Sequence, residues 1–145
     1  MKAKNVRTLI IAKPAAVNGG SVSDILKMVE EAGLKVVALK EEMLDAHHLK
    51  KDIEKEKDPE MKRRLEEALK VPCVLISAEG KDAVLVGKRI KERFDWKVHV
   101  SASEEVGKYE TARFFKKEEV FSYDKVGDFF DKMDLREKDF KGNFR

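Results

Sequence analysis

Four short apolar runs, separated by helix-like patterns, constrain the fold more than any other feature of this sequence. The runs cover residues 7–12, 35–40, 72–78 and 98–100. Apolar residues at three- and four-residue spacing predict helices that begin after Ser21, at Pro59 and at Lys81, and Ser103 is a predicted N-cap of a further helix. Two such strand–helix halves in a short chain predict a ferredoxin-like α/β (α+β) fold, a βαββαβ sandwich whose four-stranded antiparallel sheet carries helices on one face.

The runs differ in their predicted surroundings. Residues 7–12 are rich in β-branched residues and end at a lysine–proline pair, so we expect a central strand there, followed by a connection over 15–20. Residues 36–39 are continuously apolar, which predicts a second strand buried on both faces. A turn is expected at Glu79-Gly80, after the third strand.

Size and charge restrict the class of protein. The 145 residues suit a single domain spanning 1–145, within which the mostly charged residues 134–145 are the part that we expect to be most mobile. The 31 basic residues are interleaved with 28 acidic ones, giving a net charge of +3, which permits a polyanion-binding surface without requiring one. No apolar run approaches membrane-spanning length.

The compartment is predicted from two further features. No secretory signal precedes the first strand, and Cys73 is the only cysteine, so no intramolecular disulfide can form. We expect a cytoplasmic protein, although these features do not exclude a nucleus, and Cys73 is most simply a small buried apolar residue.

The candidate for chemistry is His99, which lies between two valines. On an extended strand Val98 and Val100 face one way, and His99 and Ser101 face the other. The helix that follows Ser103 begins beside this strand, and its N-terminus favours an anion. A lone histidine is more often structural than catalytic, so both interpretations stay open on the residues alone.

Two other groups of residues have simpler interpretations. The adjacent pair His47-His48 would point about 100° apart on a helix and has no nearby partners, so we expect no metal site there. The basic cluster Lys88, Arg89, Lys91 and Arg93 is read first as a solvated helix face.

Several segments, in the right order, resemble one enzyme family. They are residues 7–14 (RTLIIAKP), 33–40 (GLKVVALK), 72–80 (PCVLISAEG), 98–105 (VHVSASEE) and 113–119 (RFFKKEE). Together they resemble the nucleoside diphosphate kinases over roughly residues 7–123. Glu110, eleven residues beyond His99, stands where that family has the glutamate that orients its catalytic histidine.

The resemblance implies a two-step exchange in which a nucleoside triphosphate phosphorylates the histidine and the phosphohistidine then phosphorylates a nucleoside diphosphate. The implied catalytic residues are His99, Glu110 and Ser101. The implied phosphate-binding residues are Lys13, Lys88 and Arg89, where Lys88 replaces the usual arginine and Arg89 is the alternative bidentate group. Mg²⁺ is implied as a companion of the nucleotide, with no metal site built by the protein.

The same resemblance marks three departures from the family. The connection over 91–97 is shorter than the family's long loop, and Trp96 stands where the family has an asparagine. The base-stacking phenylalanine is absent, so Met61 and Leu65 are the expected base-binding residues. Members of the family are usually hexamers or tetramers built from dimers, and the shortened connection removes material from the contact that joins the dimers. The resemblance therefore implies a homo-oligomer with a dimer as its minimum.

Two alternatives compete with an active kinase. One is a catalytically weak family member that binds nucleotides, proteins or nucleic acid, which the net positive charge permits. The other is an unrelated ferredoxin-like interaction module with a structural histidine, which leaves the matching segments unexplained.

Overall fold

The computed structural model describes residues 6–43, 53–68 and 70–123. The predictions for His47-His48 and for a mobile segment over 134–145 lie outside the described residues. None of the described helices is long and apolar enough to cross a membrane.

The strands form one antiparallel sheet in the order β2-β3-β1-β4. They are β1 (Val6–Ala12), β2 (Lys35–Glu42), β3 (Cys73–Gly80) and β4 (Val98–Val100). The described helices are α1 (Pro14–Asn18), α2 (Val22–Glu31), α3 (Pro59–Ala68), α4 (Ala83–Phe94) and α5 (Glu104–Phe114), with single 3-10 turns at Asp95–Lys97 and Lys117–Glu119. The ferredoxin-like fold is therefore confirmed, and β1 is central, between β3 and β4.

One face of the sheet, which we call the back face, is covered by α2 and α4 as expected. Its strand residues Ile10, Ile76 and Val98 are fully or almost fully buried against these helices. The helices contribute apolar residues at three- and four-residue spacing, namely Ile25 and Val29 from α2 and Ala83, Val86 and Ile90 from α4. Burial of this stripe supplies the main core of the domain.

The opposite face, the front face, carries a smaller core and the last described helix. Its buried apolar cluster consists of Leu9, Ile11, Ala38, Cys73, Leu75 and Phe115. Helix α5 packs over this face, and the hydroxyls of Ser77 and Thr111 form a buried hydrogen bond of 2.9 Å between β3 and α5. Cys73 is a buried free thiol, and burial raises its pKa, as expected for an unactivated cysteine.

Helix α5 approaches β1 at Gly107, which is buried. A Cβ atom at this position would collide with the carbonyl oxygen of Arg7, so the helix and the strand meet backbone to backbone. The side of α5 that includes Val106 and Tyr109 is the exposed side. The buried side is instead marked by small residues, Gly107 and Thr111.

Three local predictions were wrong. Residues 15–18, part of the connection expected over 15–20, belong to α1 (Pro14–Asn18), because a proline in the first turn of a helix loses no hydrogen bond and has a suitable φ. Strand β2 is at the sheet edge, and Leu39 within it is 51% exposed, so the strand is not buried on both faces. Glu79 belongs to β3 and is buried, instead of lying in a turn.

Candidate active site

His99 lies at the middle of β4, paired with Ile11 of β1. The predicted alternation is confirmed: Val98 and Val100 pack into the back-face core, so the imidazole emerges on the front face. Its side chain is 40% exposed, which leaves it open to solvent and to a ligand.

Glu110 of α5 is hydrogen-bonded to the imidazole. Its Oε2 lies 2.8 Å from His99 Nε2. Because an ionised carboxylate only accepts hydrogen bonds, the neutral imidazole carries its proton on Nε2 in this pair. The lone pair of Nδ1 is then available as a nucleophile.

Ser101 positions this carboxylate. Its hydroxyl donates to Glu110 Oε1 at 2.7 Å and accepts from the backbone N–H of Leu9 at 2.9 Å. Ser101 is fully buried, its contact with Leu9 is buried, and its contact with Glu110 is partly buried. The hydroxyl of Ser101 binds Oε1 of Glu110, the oxygen that His99 does not contact. The backbone N–H of Leu9 in β1 in turn fixes the position of this hydroxyl.

Helix α5 begins as predicted, and its start determines where Glu110 lies. Ser103 is the N-cap, and its hydroxyl accepts from the backbone N–H of Val106 at 3.2 Å. Two turns further along, the carboxylate of Glu110 reaches the strand that carries His99.

Lys13 lies at the same end of the sheet as His99. Its backbone N–H donates to the carbonyl oxygen of Lys97 at 2.9 Å, which extends the β1–β4 pairing by one position. Lys13 is exposed and, two residues after Ile11, lies on the same side of the strand as His99. The ammonium of Lys13 therefore adds positive charge at the end of the sheet that carries His99.

Lys88 and Arg89 lie on the exposed side of α4, and that helix packs on the back face. Within the described ranges, neither side chain is hydrogen-bonded or ion-paired to His99 or Glu110. The structure thus brings His99, Glu110 and Ser101 together, with Lys13 at their end of the sheet, and leaves the phosphate-binding roles of Lys88 and Arg89 as predictions.

A cavity of about 600 Å³ lies beside this end of the sheet. Met61 and Leu65 of α3, the residues expected to contact a base, line it together. The other lining residues are Pro14, Ala15, Asn18, Arg63, Arg64, Glu67 and Trp96. Sequence reasoning missed Trp96 as a cavity residue, and the signal that could have found it is a lone tryptophan in a shortened loop close to the histidine.

A second carboxylate on the front face, Glu79, was also missed. Its side chain is 2% exposed. Its carboxylate accepts hydrogen bonds from Arg7 Nε at 2.8 Å and from the Ser122 hydroxyl at 3.0 Å, and it forms an ion pair with Lys35 Nζ at 3.2 Å. Burial raises the pKa of Glu79, but the hydrogen bonds from Arg7, Lys35 and Ser122 outweigh it and hold the pKa below its usual range.

No group of three or more histidine, cysteine or acidic side chains in 6–43, 53–68 and 70–123 is arranged to hold a metal ion.

The ferredoxin-like sheet carries an exposed histidine that is hydrogen-bonded to a carboxylate, an arrangement suited to enzymes that use a histidine nucleophile. Comparison with known proteins shows which family of such proteins this chain resembles. The sequence profile of the family described as nucleoside diphosphate kinase matches residues 6–96. A nucleoside diphosphate kinase of Pyrococcus horikoshii is 31% identical over an alignment of 152 positions. The alignment covers 89% of this chain and 97% of the relative. The chain belongs to the nucleoside diphosphate kinase family.

Solved structures show the same fold. A nucleoside diphosphate kinase family protein from Babesia bovis superposes with a TM-score of 0.62 at 26% identity, over 83% of this chain and 95% of its own. A halophilic nucleoside diphosphate kinase from Halobacterium salinarum, solved in complex with CDP, gives a TM-score of 0.64 at 21% identity, over 88% of this chain and 98% of its own.

Proposed function

We propose that this chain is a phosphotransferase that moves the γ-phosphate of a nucleoside triphosphate to a nucleoside diphosphate through a phosphohistidine at His99. The observation that carries the proposal is the hydrogen-bonded series from Leu9 through Ser101 and Glu110 to His99 Nε2. The nucleoside diphosphate kinases to which the chain is similar, one of them solved with CDP, support nucleotides as the substrates.

In the first step, Nδ1 of His99 attacks the γ-phosphorus. The Nδ1–P bond forms, the bond from phosphorus to the β–γ bridging oxygen breaks, and the nucleoside diphosphate leaves with that electron pair. The imidazole becomes positively charged, and the carboxylate of Glu110 stabilises it without moving the Nε2 proton.

In the second step, a terminal oxygen of a nucleoside diphosphate attacks the same phosphorus and His99 leaves as the neutral imidazole. The two steps are mirror images, so one site serves both nucleotides. Ser101 acts as a positioning residue, because it touches Glu110 and not the imidazole.

Positive charge near the phosphates would come from Lys13 and from either Lys88 or Arg89. Lys13 is supported by its place at the histidine end of β1, whereas Lys88 and Arg89 would need to reach from α4. Mg²⁺ enters with the nucleotide as part of the substrate, since phosphate oxygens are hard ligands that suit it. Met61 and Leu65 would contact the base.

Two further features of the proposal concern assembly and location. We expect a homodimer at least, because the shortened 91–97 connection removes material from one contact of the family but not from all. Light scattering that gives a monomer contradicts this minimum, and a hexamer would show that other contacts compensate. The cytoplasmic location stays a prediction from the sequence.

Labelling with γ-labelled ATP and magnesium tests the reaction. We expect an acid-labile phosphoenzyme in the wild type and none in His99→Gln. The matched control is His47→Gln combined with His48→Gln, which changes the other two histidines of the chain and is expected to keep the label. No label in the wild type, or equal label in His99→Gln, refutes the proposal.

A binding role without catalysis is the second candidate, and the exposed cations of α4 are the observation that favours it. Lys88, Arg89 and Arg93 are all exposed. Binding of labelled nucleic acid that weakens as salt rises, in a protein that forms no phosphoenzyme, would support this role.

A further inference from the structure

We infer that Trp96 forms the aromatic wall on which the nucleobase of the substrate stacks, facing Met61 and Leu65 across the cavity. Resemblance to the family gives this position no such role, because an asparagine is usual there. The inference rests on the proposed function, since it takes the nucleotide as the ligand of this cavity.

The first argument is the exposure of the apolar side chains. Trp96 is 62% exposed and Met61 is 41% exposed, and both line the same concave cavity of about 600 Å³ with Leu65 and Pro14. Single exposed apolar residues are common, but large ones gathered in one cavity of ligand size mark a binding site.

The second argument is that the backbone that carries the wall is held in place before any ligand binds. Trp96 lies in the 3-10 turn Asp95–Lys97, which is closed by a hydrogen bond from the backbone N–H of Val98 to the carbonyl of Asp95. The carbonyl of Lys97 accepts from the backbone N–H of Lys13, so the turn is fixed to the end of β1. Because the backbone at Trp96 is already ordered, only the rotation of the indole side chain remains to be lost when a ring stacks on it.

The third argument is the path from the cavity to the nucleophile. Trp96 precedes His99 by three residues, a separation of at most about 10 Å along an extended chain. Pro14, another lining residue, directly follows Lys13. A nucleotide whose base occupies the cavity can therefore direct its phosphates past Lys13 towards His99.

The chemistry of stacking predicts the order in which nucleobases bind at this cavity. An indole face attracts any nucleobase, because each base presents a π surface, and it discriminates among them by stacking strength and not by hydrogen-bond pattern. Among nucleotides we therefore expect purines to bind more tightly than pyrimidines, because a purine ring presents the larger π surface to the indole.

Trp96 is the only tryptophan of the chain, so its fluorescence reports directly on this site. With magnesium present, ADP is expected to quench the emission in a saturable way, whereas pyrophosphate, which lacks a base, is expected to leave it nearly unchanged. Equal quenching by pyrophosphate, or ADP binding detected by calorimetry without a change in emission, overturns the inference.

Substitutions provide the second test. Trp96→Ala is expected to weaken ADP binding, and to raise the KM for nucleotide, roughly tenfold, with kcat at saturation within about twofold of wild type. Trp96→Phe keeps an aromatic face and is expected to recover most of the affinity. Phe121→Ala removes another exposed aromatic side chain, 66% exposed and outside this cavity, and is the control expected to bind as the wild type does.

The outcomes separate this inference from the proposed function. If the phosphoenzyme forms but Trp96→Ala binds ADP as tightly as the wild type, the inference is wrong and the function stands. If no phosphoenzyme forms but base-dependent quenching persists, the function is wrong and the nucleobase site stands. If ADP does not bind at all, the inference is overturned regardless of labelling.

Discussion

Two carboxylates on the front face of the sheet, Glu79 and Glu110, differ in the kind of group that each one contacts. Glu79 is almost completely buried, and its two oxygens are taken up by Arg7, Lys35 and a serine hydroxyl. Glu110 contacts a single titratable group, the imidazole of His99, whose second nitrogen makes none of the described hydrogen bonds. A carboxylate paired with fixed cations stabilises a fold, whereas one paired with a half-exposed histidine can direct chemistry.

The largest expected effect is on the rate of phosphoenzyme formation, which should depend on Glu110 and not on Glu79. Glu110→Gln keeps the shape of the side chain but removes the charge that stabilises the imidazolium, so we expect phosphoenzyme formation to slow by roughly 10³-fold. Rapid-quench labelling measures this rate. Glu79→Gln is the matched control, with an expected rate within about twofold of wild type. Equal losses of rate in the two variants would mean that the carboxylates do not differ in role.

The second prediction concerns the free energy of unfolding, which should depend more on Glu79 than on Glu110. Glu79→Gln leaves Lys35 and Arg7 without their counter-charge at a buried position, so we expect the free energy of unfolding to fall by about 3 kcal/mol. The same change at Glu110, whose side chain is 16% exposed, is expected to cost about 1 kcal/mol or less. Urea denaturation followed by circular dichroism measures both values, and a larger loss at Glu110 than at Glu79 would contradict the assignment.

Ser101→Ala sharpens the comparison at the hydroxyl that joins Glu110 to the sheet. It removes one bond to the carboxylate and leaves the N–H of Leu9 without an acceptor, so we expect about 1–2 kcal/mol of destabilisation and a roughly tenfold slower phosphorylation. Ser122→Ala is the control, because it removes a serine hydroxyl that donates to the other carboxylate, Glu79, at 3.0 Å and does not touch Glu110. Both variants slowing phosphorylation equally would assign the effect to stability alone.

The smallest effect concerns the pH dependence of stability. The folded pKa of Glu79 is held below the unfolded value of about 4.5, so its contribution is complete above that pH and is lost as the pH falls through the folded pKa. The difference in unfolding free energy between the wild type and Glu79→Gln should stay constant near neutral pH and shrink in acid. A difference that grows in acid would mean that the pKa is raised in the folded state.

The sequence predicts the strands because they depend on local patterns, whereas the pairing of Glu110 with His99 is what the resemblance to the family implies. Alternation around His99 indicates which way the imidazole faces, and the N-cap at Ser103 fixes the start of the helix that carries Glu110. Helix α1 was missed because five residues are too few to show a helical period. The edge position of β2 depends on strand order, which no single run of residues encodes.

The missed residues depend on distant parts of the chain. Glu79 is buried because Lys35 and Ser122, from an edge strand and from the segment after α5, supply its partners. Trp96 becomes a cavity wall only because α3 lies across from it. In both cases the partner is tens of residues away, so spacing within one segment carries no sign of the contact.

The close contact at Gly107 has a consequence for how this site can fail. Glu110 follows Gly107 by three residues, slightly less than one turn, so the depth at which the helix docks sets the distance from the carboxylate to His99. A side chain at 107 would hold α5 away from β1 and lengthen the 2.8 Å hydrogen bond that orients the imidazole. Evolutionary decay of the activity therefore needs no change in any reactive group, because one added methyl between helix and strand can disable the histidine while every functional side chain remains.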